Sequence, residues 1–338
     1  MMNATRSNLW RTGWLIGFVL VFLGCFVSSI VFGATQQFSW STAWASMFHY
    51  DESINDQIIV RTTRVPRACI AAAVGASLAI AGALMQTLTR NPLASPSVLG
   101  VNAGATFFVV LAAVMLSVSS MQALTWIAFL GAAVGAVTVY ALGSVGRDGL
   151  TPLKIVLAGS AMSALFASFT QAVLVLRQQG ISTVLFWLTG TVAGRSPSFL
   201  ITVIPYLVIV WIGSWLLAKE MNVLQMGEET AKGLGQKTIF IKATVGIFIV
   251  VLAGCSVSVA GPIGFIGIVI PHISRFFGGM DHRWVIPYCG VLGAILLILA
   301  DIGARFIAMP EEMPVGVMTA IIGVPFFIYI ARKGLAKS

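Results

Sequence analysis

The sequence is poor in charge. Only 9% of its 338 residues are Asp, Glu, Lys or Arg, and just 11 of these are acidic. Mean hydropathy is +0.96, and the few charges stand in short clusters between long apolar runs. Such a distribution excludes most soluble enzymes. There are three histidines and four cysteines. Cys25, Cys69, Cys255 and Cys289 all fall inside apolar runs, where they read as small buried hydrophobes. No pair has metal-ligand spacing, and nothing marks a disulfide framework. The dipeptide Gly-Lys occurs nowhere, so the chain has no phosphate-binding loop of the Walker type. Asp301 is the sole carboxylate within an apolar run. That leaves no pair for an intramembrane hydrolase, and no mid-membrane acid of the kind that couples a secondary transporter to protons or sodium.

What is present is a series of apolar runs. About 20 apolar residues cross the ~30 Å hydrocarbon core as a helix. Such runs lie near 12–34, 65–88, 98–118, 122–144, 153–176, 198–219, 239–260, 262–279, 285–305 and 314–332. Their length and their Leu, Ala and Val content argue for helices over a barrel. The fold class expected is therefore all-α, a polytopic membrane protein of about ten spans in one transmembrane domain, residues 1–338. The first run follows Arg6 and Arg11, is too long for a signal-peptide core, and reads as a retained helix. The longest gap, roughly 35–64, has room for one short surface helix such as Trp40–Phe48.

A net charge of +9 could suggest nucleic acid, but its distribution does not. With ten spans, the N-terminal side holds 14 cations and the other side six: Arg61, Arg64, Arg67, Arg177, Arg195 and Arg305. That bias puts both termini in the cytoplasm. The 34 glycines suit close helix packing, and four pairs have GxxxG spacing: Gly13/Gly17, Gly100/Gly104, Gly131/Gly135 and Gly190/Gly194. Residues 79–83 and 258–262 are distantly alike and lie on or beside spans 2 and 7, which run in opposite directions. An inverted repeat of spans 2–5 and 7–10 would produce this, and so would chance in a chain so rich in Ala and Gly.

Four segments stand out. The inner loop 219–238 is the most polar part of the chain. Within it Glu228 and Glu229, Lys232 and the following glycines describe a short capped helix. Its apolar members Met226, Ala231 and Leu234 could fill a partner's groove, or the loop could be a solvated connector. Arg61-Thr62-Thr63-Arg64-Val65-Pro66-Arg67 opens span 2 on the outer side. There the arginines either snorkel or meet an acidic partner. Asp301 and Arg305 stand four apart on one helix face. Residues 261–272 form a broken, glycine-rich approach to span 8, tolerated at membrane depth only against protein or a water-filled cavity.

Arg64-Val65-Pro66-Arg67, Asn91-Pro92-Leu93-Ala94, the Gly227–Gly235 loop, Ala260–Gly267 with Ile270-Pro271-His272, Asp281-His282-Arg283 and Ala300–Arg305 occur here in one order. Together they resemble the FecCD-type permeases, the membrane subunits of ABC importers for iron–siderophore complexes, haem and cobalamin. The resemblance covers nearly the whole chain and is specific for the family, not the substrate.

The resemblance implies an arrangement rather than a catalytic centre. Two permease subunits, identical or paralogous, would form a pathway at their interface in the bacterial cytoplasmic membrane. Two ATPase subunits would bind below, carrying the ATP and magnesium, so that this chain binds no cofactor itself. An extracytoplasmic binding protein would dock above. Carried over by position, Gly227, Glu228, Glu229, Ala231, Gly233 and Gly235 fall on the ATPase-coupling segment. Arg64, Arg67 and Arg305 fall on the docking positions, with Asp301 orienting Arg305. The gate region matches roughly 160–194, where Ser160, Ser163, Ser168, Gln171 and Thr191 would line the pathway. Arg177 and Arg195 are less typical of the family and are placed to meet an anionic ligand.

Overall fold

The computed structural model describes residues 8–33, 38–145, 151–176, 188–309 and 311–335. The described residues contain helices and no strand. In chain order the helices are α1 (Asn8–Val31), α2 (Trp40–Phe48), α3 (Asn55–Ile59), α4 (Val65–Thr89), α5 (Val101–Met115), α6 (Met121–Ser144), α7 (Pro152–Leu176), α8 (Pro197–Leu216), α9 (Ala218–Gln225), α10 (Glu228–Gly233), α11 (Thr238–Ala260), α12 (Ile266–Gly278), α13 (His282–Ile307) and α14 (Val315–Leu335). Seven are long and apolar enough to span a membrane: α1, α4, α6, α7, α8, α11 and α13. Three shorter apolar helices complete the set: α5, α12, and α14, whose apolar part ends at Ile330. These ten coincide with the ten runs read from the sequence, and α2 is the short helix expected at Trp40–Phe48. One extension is new. A π-helical turn, Val60–Arg64, joins α3 to α4 into a continuous rod from Asn55 to Thr89.

Helix α4 is the axis of the bundle. It is apolar all round, rich in Ala and Gly, and buried along nearly its whole length, which is what a helix without a polar face requires. It packs against α11, α12 and α13, while α11 packs against α4, α5 and α6. The central helix of each half thus lies against helices of the other half. This reciprocal packing is what an inverted repeat of α4–α7 and α11–α14 needs.

Both halves contain a short helix with an irregular approach. Helix α12 has 13 residues, about 20 Å of rise, too little to cross ~30 Å of hydrocarbon. Residues 261–265 cover the remainder without helix, with Gly261 and Phe265 at φ +76° and +68°. Gly261 and Ile263 are buried, Pro262 and Phe265 half-buried and Gly264 exposed. Thr191 N donates to Ala260 O at 2.8 Å, and Gly316 N donates to Gly190 O at 3.0 Å. In the first half, residues 91–100 play the same part before α5, with a single 3-10 turn at Pro96–Leu99.

The closest backbone approaches fall at glycine. A Cβ on Gly82 would stand 2.1 Å from Gly267 O, and one on Gly75 would stand 2.2 Å from Gly293 O. These contacts join α4 to α12 and α13, and GxxxG spacing did not reveal them. Two expected pairs do pack. A Cβ on Gly104 would lie 2.3 Å from Gly131 O, and one on Gly135 would lie 2.6 Å from Gly100 O, binding α5 to α6. The other two pairs do not behave as helix seams. Gly13 and Gly17 have no atom within 4 Å of an added Cβ, because they face outward from α1. Gly190 and Gly194 lie outside the helices with φ of +67° and +66°.

Candidate functional site

The outer end of the bundle holds a buried ion cluster. Arg67 enters from the first turn of α4, Asp301 and Arg305 from the last turns of α13, and Glu312 from the segment before α14. Asp301 Oδ1 accepts from Arg67 Nη2 at 2.8 Å and Nε at 3.0 Å, while Arg305 Nη2 donates to Asp301 Oδ2. Arg67 Nη1 reaches Glu312 Oε2 at 2.7 Å. Arg305 also donates to the carbonyls of Ser29 at 2.7 Å and Phe32 at 3.0 Å, and to the Ser29 hydroxyl at 2.9 Å. These are orphan carbonyls at the C-terminal end of α1, the negative end of its dipole. Arg64 Nη1 donates to Phe32 O at 3.1 Å, and its guanidinium fills the space a side chain on Gly33 would need.

The three arginines named as docking residues are thus brought together, but they are not equally accessible. Arg64 and Arg67 are each 8% exposed and Arg305 is wholly buried. Charges taken from water keep their ionised form only when paired and hydrogen-bonded. Asp301 supplies the pairing for Arg67 and Arg305 together, so it orients both. Glu312 was missed as a member. Nothing in the sequence ties it to Arg67 across 245 residues. Arg61 stays exposed, its guanidinium 4.3 Å from the centre of the Tyr50 ring.

At the opposite end of the bundle, α9 and α10 make up the segment that the resemblance implies for ATPase coupling. Glu228 and Glu229 occupy the first turn of α10 and Lys232 the last, as expected, and Gly227 opens it at φ +129°. Glu228 accepts from Lys242 of α11 at 2.5 Å and from Lys232 at 3.1 Å. The hydrogen bond from Lys242 and the second from Lys232 hold its carboxyl below the usual range. Glu229, Gly233, Leu234 and Gly235 are exposed, as is Met226. Ala231 is not: it is fully buried against the chain itself. It cannot reach a partner's groove in this conformation, because it is the residue by which α10 is seated.

A second feature at this end gives contacts to the Asp281-His282-Arg283 motif. Asp281 caps α13 by accepting from Arg283 N at 3.0 Å, and pairs with the Arg283 guanidinium at 2.7 Å. Asn222 Nδ2 also donates to it at 2.7 Å. Burial would raise its carboxyl, but the bonds from Arg283 and Asn222 outweigh burial and hold it at about 2. Nearby, Arg275 Nη1 donates to Gln86 Oε1 at 2.5 Å, and Gln86 Nε2 donates to Gly267 O at 3.1 Å.

The gate residues divide. On α7, Ser160, Ala161, Ala164, Ser168, Gln171 and Ala172 are all exposed, a stripe of small and polar groups bordered by the exposed Leu157, Leu165 and Phe169; Ser163 is half-buried. Ser160 and Ser168 return their hydroxyls to their own helix, to Val156 O at 2.8 Å and Ala164 O at 2.9 Å. Thr191 stands apart from the stripe, 3% exposed, with its hydroxyl accepting from Ala193 N at 3.1 Å. Arg177 and much of the segment after α7 lie outside the described residues. Arg195 is 7% exposed and donates to Thr191 O at 3.2 Å, which ties it to the chain rather than to an open mouth. Among the described residues, no group of three or more His, Cys, Asp or Glu could hold a metal ion.

Comparison with known proteins agrees with this architecture. A model of the FecCD transport family matches residues 19–333. The chain is 52% identical over 334 residues, 99% of each chain, to the "Probable siderophore transport system permease protein YfiZ" of Bacillus subtilis (strain 168). It is 48% identical over 85% of each chain to the "Fe(3+)-citrate import system permease protein YfmD" of the same organism. A solved inward-facing conformation, assigned to the metal-chelate type of ABC transporter, superposes with a TM-score of 0.82 at 26% identity, covering 95% of this chain and 99% of that one. Fold and matches together define a multi-pass membrane permease of the ABC-transporter class. The chain belongs to the FecCD transport family.

Proposed function

We propose that this chain is a permease subunit of an ABC importer that carries an iron(III)–siderophore complex into the cytoplasm, driven by ATP hydrolysis on separate subunits. The observation that carries the reading is the 52% identity, over 99% of both chains, to a relative named for siderophore transport. A second reading, cobalamin import, draws on a weaker likeness. The "Cobalamin import system permease protein BtuC" of Halobacterium salinarum is 38% identical, over 90% of this chain and 81% of its own. Haem remains an alternative cargo within the family, and a proton- or sodium-coupled secondary transporter a more remote one.

In this reading the subunit pairs with a second copy or a paralogue, and the exposed stripe of α7 faces the pathway between them. Small and hydroxyl-bearing groups suit a wide route that holds a bulky chelate weakly, since tight binding would impede release. ATPase subunits sit beneath α9 and α10 and meet Glu229, Gly233, Leu234 and Gly235. Glu228 and Ala231 set the helix that presents these residues. The binding protein docks over the outer cluster, where a carboxylate of the partner takes the edge of Arg64 or replaces Glu312 on Arg67. Arg305, wholly buried, acts by holding Asp301 and hence Arg67. The membrane is the bacterial cytoplasmic membrane, with both termini inside.

The test is uptake of a panel of radiolabelled iron–siderophores in cells with and without this chain, with haem and cobalamin as competitors. Loss of uptake of an iron chelate alone is expected. Loss of cobalamin or haem uptake would overturn the substrate, and unchanged uptake of all, with related permeases deleted, would overturn the importer.

A further inference from the structure

Asp281-His282-Arg283 helps identify the family, yet the transport scheme above gives it no task. The structure places it where side chains join the cytoplasmic segment to α13 and to the central helix α4, beside a second link from Arg90 Nη2 to Leu224 O at 3.4 Å. Asn222, on α9, is the hub. Its Oδ1 accepts from His282 N at 2.8 Å and pairs with His282 Nδ1 at 2.8 Å, while its Nδ2 donates to Asp281 Oδ1 at 2.7 Å. One amide thereby grips the first turn of α13 at three atoms. His282 is fully buried and continues the chain inward: its Nε2 pairs with the Thr87 hydroxyl at 2.7 Å, in the last turn of α4. On the cytoplasmic side, Gln236 Nε2 donates to Glu220 O at 2.9 Å, tying the stretch after α10 back to α9.

We propose that Asn222, His282 and Thr87 form the link that carries movement of the α9–α10 segment to α4 and α13. This rests on the reading of the chain as an ATP-driven importer. Three arguments support it. The bonds are short and directional, buried at His282–Thr87 and half-buried at Asn222, so a displacement of α9 is passed on to His282. A buried polar group that loses its partner is costly: the Thr87 hydroxyl can turn to Ala83 O at 3.0 Å, but His282 Nε2 would then be left unmade, which favours joint movement. The link also ends at the right place: Gln86, next to Thr87, holds α12 through Gly267 O. A shift of the inner end of α4 therefore reaches both α12 and α13. Asn222, His282 and Thr87 are positioning residues; none is assigned contact with cargo or nucleotide.

The experiment uses the complete transporter, with ATPase subunits and binding protein, in proteoliposomes. ATP hydrolysis and chelate uptake are measured on the same vesicles. Thr87→Val keeps the shape and removes the hydroxyl, while Thr87→Ser keeps the hydroxyl. Asn222→Leu removes the hub. The expected result is that Thr87→Val and Asn222→Leu assemble and hydrolyse ATP within about twofold of wild type but lose about tenfold in uptake per ATP, the effect of one buried hydrogen bond left unmade. Thr87→Ser should stay within about twofold on both. Unchanged uptake per ATP in Thr87→Val would overturn the link. So would a parallel fall in hydrolysis, uptake and thermal midpoint, which would mark a role in folding alone. If wild type itself takes up no chelate, the importer reading fails instead, and this control separates the two.

Discussion

Asp301→Asn is the most informative single change at the outer end. It replaces one oxygen of a fully buried carboxylate that serves Arg67 and Arg305 together. After the change Arg67 keeps Glu312, and Arg305 keeps the Ser29 and Phe32 carbonyls, but no carboxylate remains between the two guanidinium groups. Removing one partner of a buried ion pair costs about 3–5 kcal/mol, because the remaining charge is left uncompensated. The same reasoning fixes the sign of a double variant. Arg305→Met removes one of the stranded charges, so Asp301→Asn combined with Arg305→Met should cost less than the sum of the single changes, by about 0.5–3 kcal/mol. Unfolding in detergent can be followed with a thiol-reactive dye, since Cys255 and Cys289 are buried in the fold and Cys25 and Cys69 partly so. Asp301→Asn within about 0.5 kcal/mol of wild type, or strictly additive costs, would refute the view that this cluster is held by charge compensation.

Three further outcomes follow from the geometry. Gly82→Val should destabilise by at least about 1–3 kcal/mol, because its side chain would meet the Gly267 backbone; Gly13→Val, with no atom in reach, should stay within about 0.5 kcal/mol, and the same dye assay compares them. Asp281 sits at about 2 against an ordinary 3.8. A carboxyl lowered by folding stabilises fully above its ordinary value and stops doing so as pH falls through its folded value. The stability advantage of wild type over Asp281→Asn should therefore be full at neutral pH and shrink as pH falls from about 4 through about 2, and a gap undiminished at pH 2 would contradict the assignment. Glu229→Lys reverses a charge on the exposed face of α10, so it should leave unfolding unchanged while lowering ATPase-coupled uptake; normal coupling would move the contact elsewhere.

How much of this was legible in the sequence depended on the range of the signal. Spans, the α2 helix and the Glu228–Lys232 turn are local patterns, and the structure reproduces them nearly residue for residue. The Asp301–Arg305 pair was readable for the same reason, being one helical turn apart. Glu312 on Arg67 and Asn222 on His282 were not, because each contact closes a loop of tens to hundreds of residues with no periodicity to announce it. Ala231 misled for a different reason. A small apolar residue on a polar helix reads equally as a partner-facing contact or as a seat, and only packing distinguishes them. Gly82 and Gly75 were hidden in a helix so rich in Ala and Gly that no motif stood out; their partners, Gly267 and Gly293, lie on other helices.

This permease is proposed to move an iron chelate inward at the expense of ATP. The most direct measurement reconstitutes it with its ATPase and binding-protein subunits in proteoliposomes and follows radiolabelled iron–siderophore with an uncoupler present. The account predicts accumulation that requires hydrolysable ATP and the loaded binding protein, and that persists when ion gradients are collapsed. Accumulation that disappears with the gradient while ATP is maintained would contradict it.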